Sequence, residues 1–298
     1  MATLEIPDRR PPGQLFQEAT LKTLFIVSAL TIAATVTSAT MAAVPQGGQP
    51  SAPVAKNFTA PIVFQGAGPN AASLQALMDQ FRLAIGGNNN GNGGSANSGR
   101  REINWDGGGS TATSEVPTPF TGFLANRGGL FATPGSGFVQ ATVEGMATVF
   151  GNETYETEFK AFSAARLFNP VNSNVTEATF FIPGSGPNPT PALTSAFGAV
   201  FSDVDQPDGG GPGNKRGNRG ASTLIQFFGR NGELLFSSFV PASPGQGTFT
   251  FFGIVFPDAR IASVRIRTGD DPAGANDDPG RDIVMMDDFI YGEPRIGG

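Results

Sequence analysis

Residues capable of chemistry concentrate in three places in this chain, and carboxylates dominate each. Segment 99–107 holds the only tryptophan, Trp105, with Glu102, Asn104 and Asp106 beside it and the guanidiniums of Arg100 and Arg101 just upstream. With this spacing, Trp105 offers a stacking platform for a sugar ring, and Glu102, Asn104 and Asp106 offer partners for its hydroxyls. The competing arrangement has Trp105 and Ile103 plugging the edge of a β-sandwich while Arg101 and Asp106 form a local ion pair. Large aromatic side chains are usually buried, which favours the second arrangement. Glu102 and Asp106 are also the candidate pair for a polysaccharide-cleaving enzyme. That chemistry needs both in one open cleft, about 5 to 9.5 Å apart.

The second concentration is Asp203, Asp205 and Asp208, at a strand end and followed by glycines. Three carboxylates before such a turn resemble an oxygen-lined Ca²⁺ loop. The spacing departs by one residue from that of an EF-hand, and no bidentate glutamate follows at the required offset. A solvated acidic turn explains it equally well. The third joins a loop carrying Asp270, Asp271, Asp277 and Asp278 to a terminal strand with Asp287 and Asp288. Side chains alternate between the faces of a strand, so Met285, Asp287 and Phe289 should share one face and Met286, Asp288 and Ile290 the other. One aspartate must therefore face packed surface. A buried carboxylate needs a partner, either a backbone or arginine donor or a cation such as Ca²⁺. The candidate metal ligands are Asp203, Asp205, Asp208, Asp278, Asp287 and Asp288.

What the chain lacks narrows the remaining chemistry. It has no His and no Cys among 298 residues. Imidazole acid–base work, Ser-His-Asp triads, thiolate nucleophiles and the usual zinc sites are therefore excluded. Its formal charge of −6 argues against bulk nucleic-acid binding, which needs Lys and Arg to neutralise phosphates. The glycine-rich run 209–220 carries three cations but lacks the Gly-Lys-Ser/Thr signature of a phosphate loop.

The elements that would position these residues are mostly strands. The 41 Gly, 24 Pro and 26 Phe suit many short strands joined by turns around a large core. Lys22 precedes an apolar stretch over 24–36, and small residues follow at Ser38, Ala39, Ala42 and Ala43, so residues 1–43 read as a cleaved signal segment. This segment carries three basic and three acidic side chains, and its removal leaves the charge at −6. Residues 44–69 read as a flexible leader, with a short strand over 58–64. Region 70–99 starts with a helix capped by Asn70, with Leu74, Leu77, Met78, Phe81 and Ile85 on one face and Gly86 ending it. A Gly/Asn loop over 86–99 follows, with too little side chain to pack. Residues 100–294 form the β domain and 295–298 a tail. Strands are expected over 138–149, 175–182, 196–204, 224–228, 234–240, 249–256, 261–268 and 282–291. Asn231-Gly232 marks a hairpin. Val264 and Ile266 should point inward, with Arg265 and Arg267 outward. The series predicts a mainly β fold: an antiparallel two-sheet, jelly-roll-like sandwich with one N-terminal helix.

REINWDG (101–107), the run 162–184, FGAVFSDVD (197–205) and VMMDDFIYGEP (284–294) together resemble a recurring group of uncharacterised secreted bacterial proteins, some related to surface proteins sorted by a PEP-CTERM tail. The final strand pattern is more loosely similar to carbohydrate-binding and adhesion jelly rolls. The resemblance implies an extracellular protein. With no apolar helix or arginine cluster after Tyr291, it also implies release without a membrane anchor. It brings no catalytic residues to transfer. The function expected is non-catalytic binding of an extracellular glycan or cell-surface polymer, with Ca²⁺ as a candidate stabiliser. The alternatives are a matrix or adhesion protein without a small ligand, and the carboxylate-dependent enzyme.

Overall fold

The computed structural model describes residues 59–107, 114–205, 223–243, 245–277 and 281–297. The expected signal segment, the leader as far as residue 58, the 209–220 loop, Asp208 and Asp278 lie outside these residues. Strands and helices are numbered in chain order. The larger sheet runs β1 (Ile62–Gly68), β11 (Phe249–Val255), β8 (Ala196–Ser202), β13 (Met285–Gly292), β6 (Leu167–Val171), β5 (Gly137–Ala141) and β3 (Ser114–Pro117), with β2 (Arg100–Ile103) also on β13. The smaller sheet runs β10 (Leu234–Phe239), β9 (Leu224–Phe228), β12 (Ser263–Arg267), β7 (Val175–Phe180) and β4 (Gly129–Ala132). All strand pairs are antiparallel, and the expected two-sheet sandwich is the observed one.

The inner faces meet over phenylalanines. Phe227 of β9 meets Phe252 of β11, and Phe131 of β4 meets Phe289 of β13. The outer face of the larger sheet is also covered, in two places. Helix α1 (Ala71–Ile85) is capped as its sequence predicts, with the Asn70 side chain accepting from the Ser73 N–H, and it buries Leu74, Met78 and Phe81. The Phe81 ring lies directly on Gly198 and Gly253, where a Cβ would come within 2.9 Å of it. This second cover explains why every residue of β8 and β11 is buried, a pattern that strands wrapped on both sides require. The other cover consists of α3 (Val143–Phe150) and α4 (Tyr155–Glu158), whose Met146, Phe150 and Tyr155 pack with Leu167 and Met285.

Three expectations change here. The strand expected over 138–149 ends at Ala141. Thr142 then accepts from the Gly145 N–H and opens α3, which closes at Gly151 with φ of 69°. Val143, Met146, Ala147 and Phe150 have helical spacing, so the irregular alternation in this stretch was a change of period. With α2 (Leu124–Arg127) the described residues contain four helices, where one was expected. None of them is long and apolar enough to cross a membrane. β1 is also later than the expected 58–64 strand, starting at Ile62. It pairs with β11 along its whole length, which makes residues 62–85 part of the sandwich body.

The Gly/Asn loop over 86–99 is built into the fold by its backbone. Arg101, fully buried, forms a bidentate pair with buried Glu293, Nε to Oε2 at 2.6 Å and Nη2 to Oε1 at 2.7 Å. Its remaining donors reach the carbonyls of Gly91, Gly93, Gly94 and Asn126. Glu293 in turn accepts from Asn90 Nδ2 and from the Ala96 N–H. Glycine lets the loop carbonyls crowd around the guanidinium, so the loop packs without side chains. Arg101→Met should leave Glu293 buried and unpaired and destabilise the protein by about 3–5 kcal/mol in chemical denaturation. Limited proteolysis should then cut within 88–98. A variant as stable as the parent would show that the pair is dispensable.

Candidate functional site

The motif around Trp105 turns inward. Trp105 is fully buried, stacked on Phe168 at 3.7 Å between ring centres and met edge-on by Phe131 and Phe289. Its Nε1–H donates to the Asp287 carbonyl at 3.2 Å. A φ of 62° at Trp105, rare for a bulky residue, accompanies this placement in the aromatic core. Trp105 is therefore core packing, and its expected role as a sugar platform is corrected. Arg101 pairs with Glu293, replacing the expected Arg101–Asp106 pair. Glu102 is held by Arg82 at 3.2 Å and Arg100 at 2.6 Å. Asp106 accepts from the Arg166 N–H, Asn104 Nδ2 and Ser163 Oγ. Burial raises the Asp106 carboxyl above its ordinary range. Of the expected ligand-binding quartet only Asn104 is exposed, and both carboxylates of the expected catalytic pair are already engaged.

The aspartates separate into two places, each built on backbone donors. Asp203 Oδ1 accepts from the Gly247 N–H and Asp205 Oδ1 from the Gly245 N–H, which closes the turn leading into β11. Asp287 faces packed protein, as the alternation required, and its partners are the Phe162 N–H at 2.6 Å, Ser163 Oγ and the Asp288 N–H. The expected face assignment around it does not hold. A bulge between Met286 and Phe289 adds one residue against β8, so Met286 and Phe289 both enter the inter-sheet core while Met285 and Ile290 serve the outer covers. Burial, reinforced by the Asp288 carboxyl, holds Asp287 well above the usual carboxylate range, and Asp288 is raised chiefly by its own burial. Among the described residues no three His, Cys, Asp or Glu side chains are arranged to hold a metal ion.

The outer face of the five-stranded sheet carries neither α1 nor the α3–α4 layer. Cross-strand register places Ala132, Glu177, Arg265 and Gln226 in one row across it, with Thr179, Ser263 and Phe228 in the next. Arg265 donates through Nε and Nη2 to Glu177 Oε1 at 2.8 and 2.5 Å, and its guanidinium carbon lies 5.8 Å from the centre of the Phe228 ring. Three clefts lie along this face. One of about 450 Å³ is lined by Ala132, Pro134, Val175, Glu177 and Arg265. A second of about 250 Å³ shares Glu177 and Arg265 and adds Phe228, Ser263 and Gly232. A third of about 650 Å³ shares Ser263 and Gly232 and continues past Thr179, Leu193 and Arg230 to Ile296. The clefts adjoin through these shared residues and succeed one another along β7 from Val175 through Glu177 to Thr179, so together they form a groove that follows the strands of this face. Sequence alternation points Arg265 and Arg267 outward, which is the one signal of this face in the sequence. Glu177, Phe228 and the hairpin wall were not singled out.

No family model and no curated relative matches this chain. A solved structure of a mutant family 29 carbohydrate-binding module, studied for its ligand recognition, overlaps 61% of this chain and 91% of its own at 11% identity, with a TM-score of 0.25.

Asp203 makes the pH dependence of the fold testable. Burial, then the neighbouring Asp205, Glu158 and Asp282, push its carboxyl up to about 8 from the ordinary 3.8. The folded chain thus holds a proton that the unfolded chain releases. The stability this proton contributes is complete below pH 3.8 and is lost as the pH rises through 8. Asp203→Asn keeps an acceptor for the Gly247 N–H and should flatten the fall in melting temperature between pH 4 and pH 9. Parallel curves for variant and parent would contradict this assignment.

Proposed function

We propose that this chain is a non-catalytic, extracellular β-sandwich whose open five-stranded face binds an extended glycan or similar surface polymer. The observation that carries the reading is the groove of clefts with shared walls. Its linings draw on β4, β7, β12 and β9 and on the β9–β10 hairpin, and along β7 they run from Val175 to Phe180, a span of about 17 Å at about 3.3 Å per residue. An elongated trough suits a chain-like ligand better than a compact metabolite, whose sites are deep and enclosed. Its surface alternates hydrogen-bonding groups (Glu177, Arg265, Ser263, Thr179) with the apolar ring of Phe228, matching a sugar chain that presents hydroxyls and C–H faces in turn. The signal-like segment supports an extracellular setting, and the acidic charge argues against nucleic acid as the partner. Phe228→Ala or Arg265→Ala should weaken binding to a panel of soluble polysaccharides about tenfold by isothermal titration calorimetry. If no polysaccharide binds the parent protein at millimolar ligand, the reading fails.

A second reading, a matrix or adhesion protein acting through self-association, is favoured by the sandwich edges. Phe227 lies over Phe252, which puts the edge strands β1 and β10 on the same side of the sandwich. Both strands lack charged residues, and they expose Ile62, Val63, Leu234 and Phe239. Unpaired, uncharged edges are templates for another strand. Sedimentation velocity should show dimers or larger species at low micromolar concentration, and Leu234→Lys should return them to monomers. A parent protein monomeric at 100-fold higher concentration would remove this reading.

A further inference from the structure

The outer edges of the two sheets are not alike. On one side of the sandwich both edges are guarded. β3 carries Glu115 and ends in Pro117. The free edge of β4 is closed by residues 118–120, where Phe120 and Phe131 exchange two backbone hydrogen bonds and the Thr133 N–H donates to Thr118 Oγ1. Charge, proline and a covering segment are the means by which sheet edges avoid pairing with another chain. On the other side, β1 and β10 have no covering strand among the described residues and contain neither charge nor proline. A bulge between Leu234 and Phe236 interrupts only the start of β10 and leaves 236–239 in regular pairing with β9. The two bare edges also stand level with each other. Gln65, the middle residue of β1, pairs with Phe252; Phe252 lies against Phe227 of the facing sheet; and Phe227 pairs with Phe236 of β10.

We propose that a second copy of this chain docks on this side about a two-fold axis normal to the sheets, with β1 pairing with its counterpart at Gln65 and β10 with its counterpart beside Phe236. This rests on the self-association reading, and it adds the partner and the geometry that closes the assembly. In a two-fold dimer one surface is used twice, so the strands that meet run antiparallel and each sheet continues from one copy into the other. One axis serves both sheets because the two edges are level. A copy meets no like charge along this seam, since neither strand carries any. The edges left at the ends of the dimer are the guarded ones, which stops growth at two copies. Both grooves then open on the same side of the dimer.

A chain without cysteine allows the axis to be tested directly. A residue on a two-fold axis faces itself, and opposed Cα atoms of an antiparallel pair lie about 4.5–5.5 Å apart, within the reach of a disulfide. Gln65→Cys, with an unchanged melting temperature, should therefore form a disulfide-linked dimer under mild oxidation. Glu115→Cys, exposed on the guarded side, should not. Sedimentation velocity of the parent protein from about 1 to about 100 µM should level off at the dimer. Raising salt to about 0.5 M should leave that plateau in place, because the seam holds no charge to screen. Species beyond the dimer overturn the closed geometry while leaving self-association standing. So does a Gln65→Cys chain that cross-links no faster than Glu115→Cys. A parent protein monomeric throughout overturns both, and the glycan reading of the groove is unaffected by any of these results.

Discussion

The buried pair of Arg101 and Glu293 ties together parts of the chain that are far apart in sequence. Arg101 sits on β2 and Glu293 just past the end of β13, and the loop over 86–99 is folded around their heads by its own carbonyls and N–H groups. Neither charge tolerates burial alone, so the pair requires all three segments to be in place together. Desolvation offsets much of the Coulomb attraction in such pairs. The specific consequence here is one of register, because β2 can dock on the second half of β13 in only one alignment if Arg101 is to reach Glu293.

A second constraint follows along the same strand. β13 pairs with β6 at Met286 and with β2 from Phe289 onward, and the bulge lies at the changeover. The extra residue directs Phe289 into the core against Trp105 and leaves Asp287 beneath the 162–163 segment, whose backbone it holds. Motifs that look functional in the sequence (Trp105, Asp106, Asp287) are therefore the joints of the sandwich. They absorb the chemistry-bearing residues of the larger sheet, and its outer face is taken up by α1 and by α3 with α4. Among the described residues neither α1 nor the α3–α4 layer covers the outer face of the smaller sheet, where Arg265, Glu177 and Phe228 line the groove.

Local pattern carried most of the architecture. The Asn70 cap and apolar stripe define α1, the Asn231-Gly232 turn defines the β9–β10 hairpin, and the alternation of Val264 and Ile266 against Arg265 and Arg267 sets the faces of β12. The nearly all-apolar run of β11 announced burial on both sides. The misreadings arise where periods change or where backbone does the bonding. Thr142 switches a strand into α3 within one residue, and a run of Gly and Asn offers no side-chain signal that its carbonyls surround a guanidinium. For the candidate site the legible part was smaller. Outward arginines on β12 could be read, but their neighbours come from β4, β7 and β9, which only register brings alongside.

By itself the sequence determined the fold class, the helix, the hairpin and the presence of an aspartate facing packed protein, because each follows from short-range periodicity or from the energetic demand of one buried group. The tertiary structure alone decided what Trp105 and the aspartates do and which sheet face stays open. Those outcomes depend on partners supplied by distant segments. An indole becomes core when Phe168 and Phe289 close over it, and a carboxylate becomes a clasp when a backbone N–H arrives within reach.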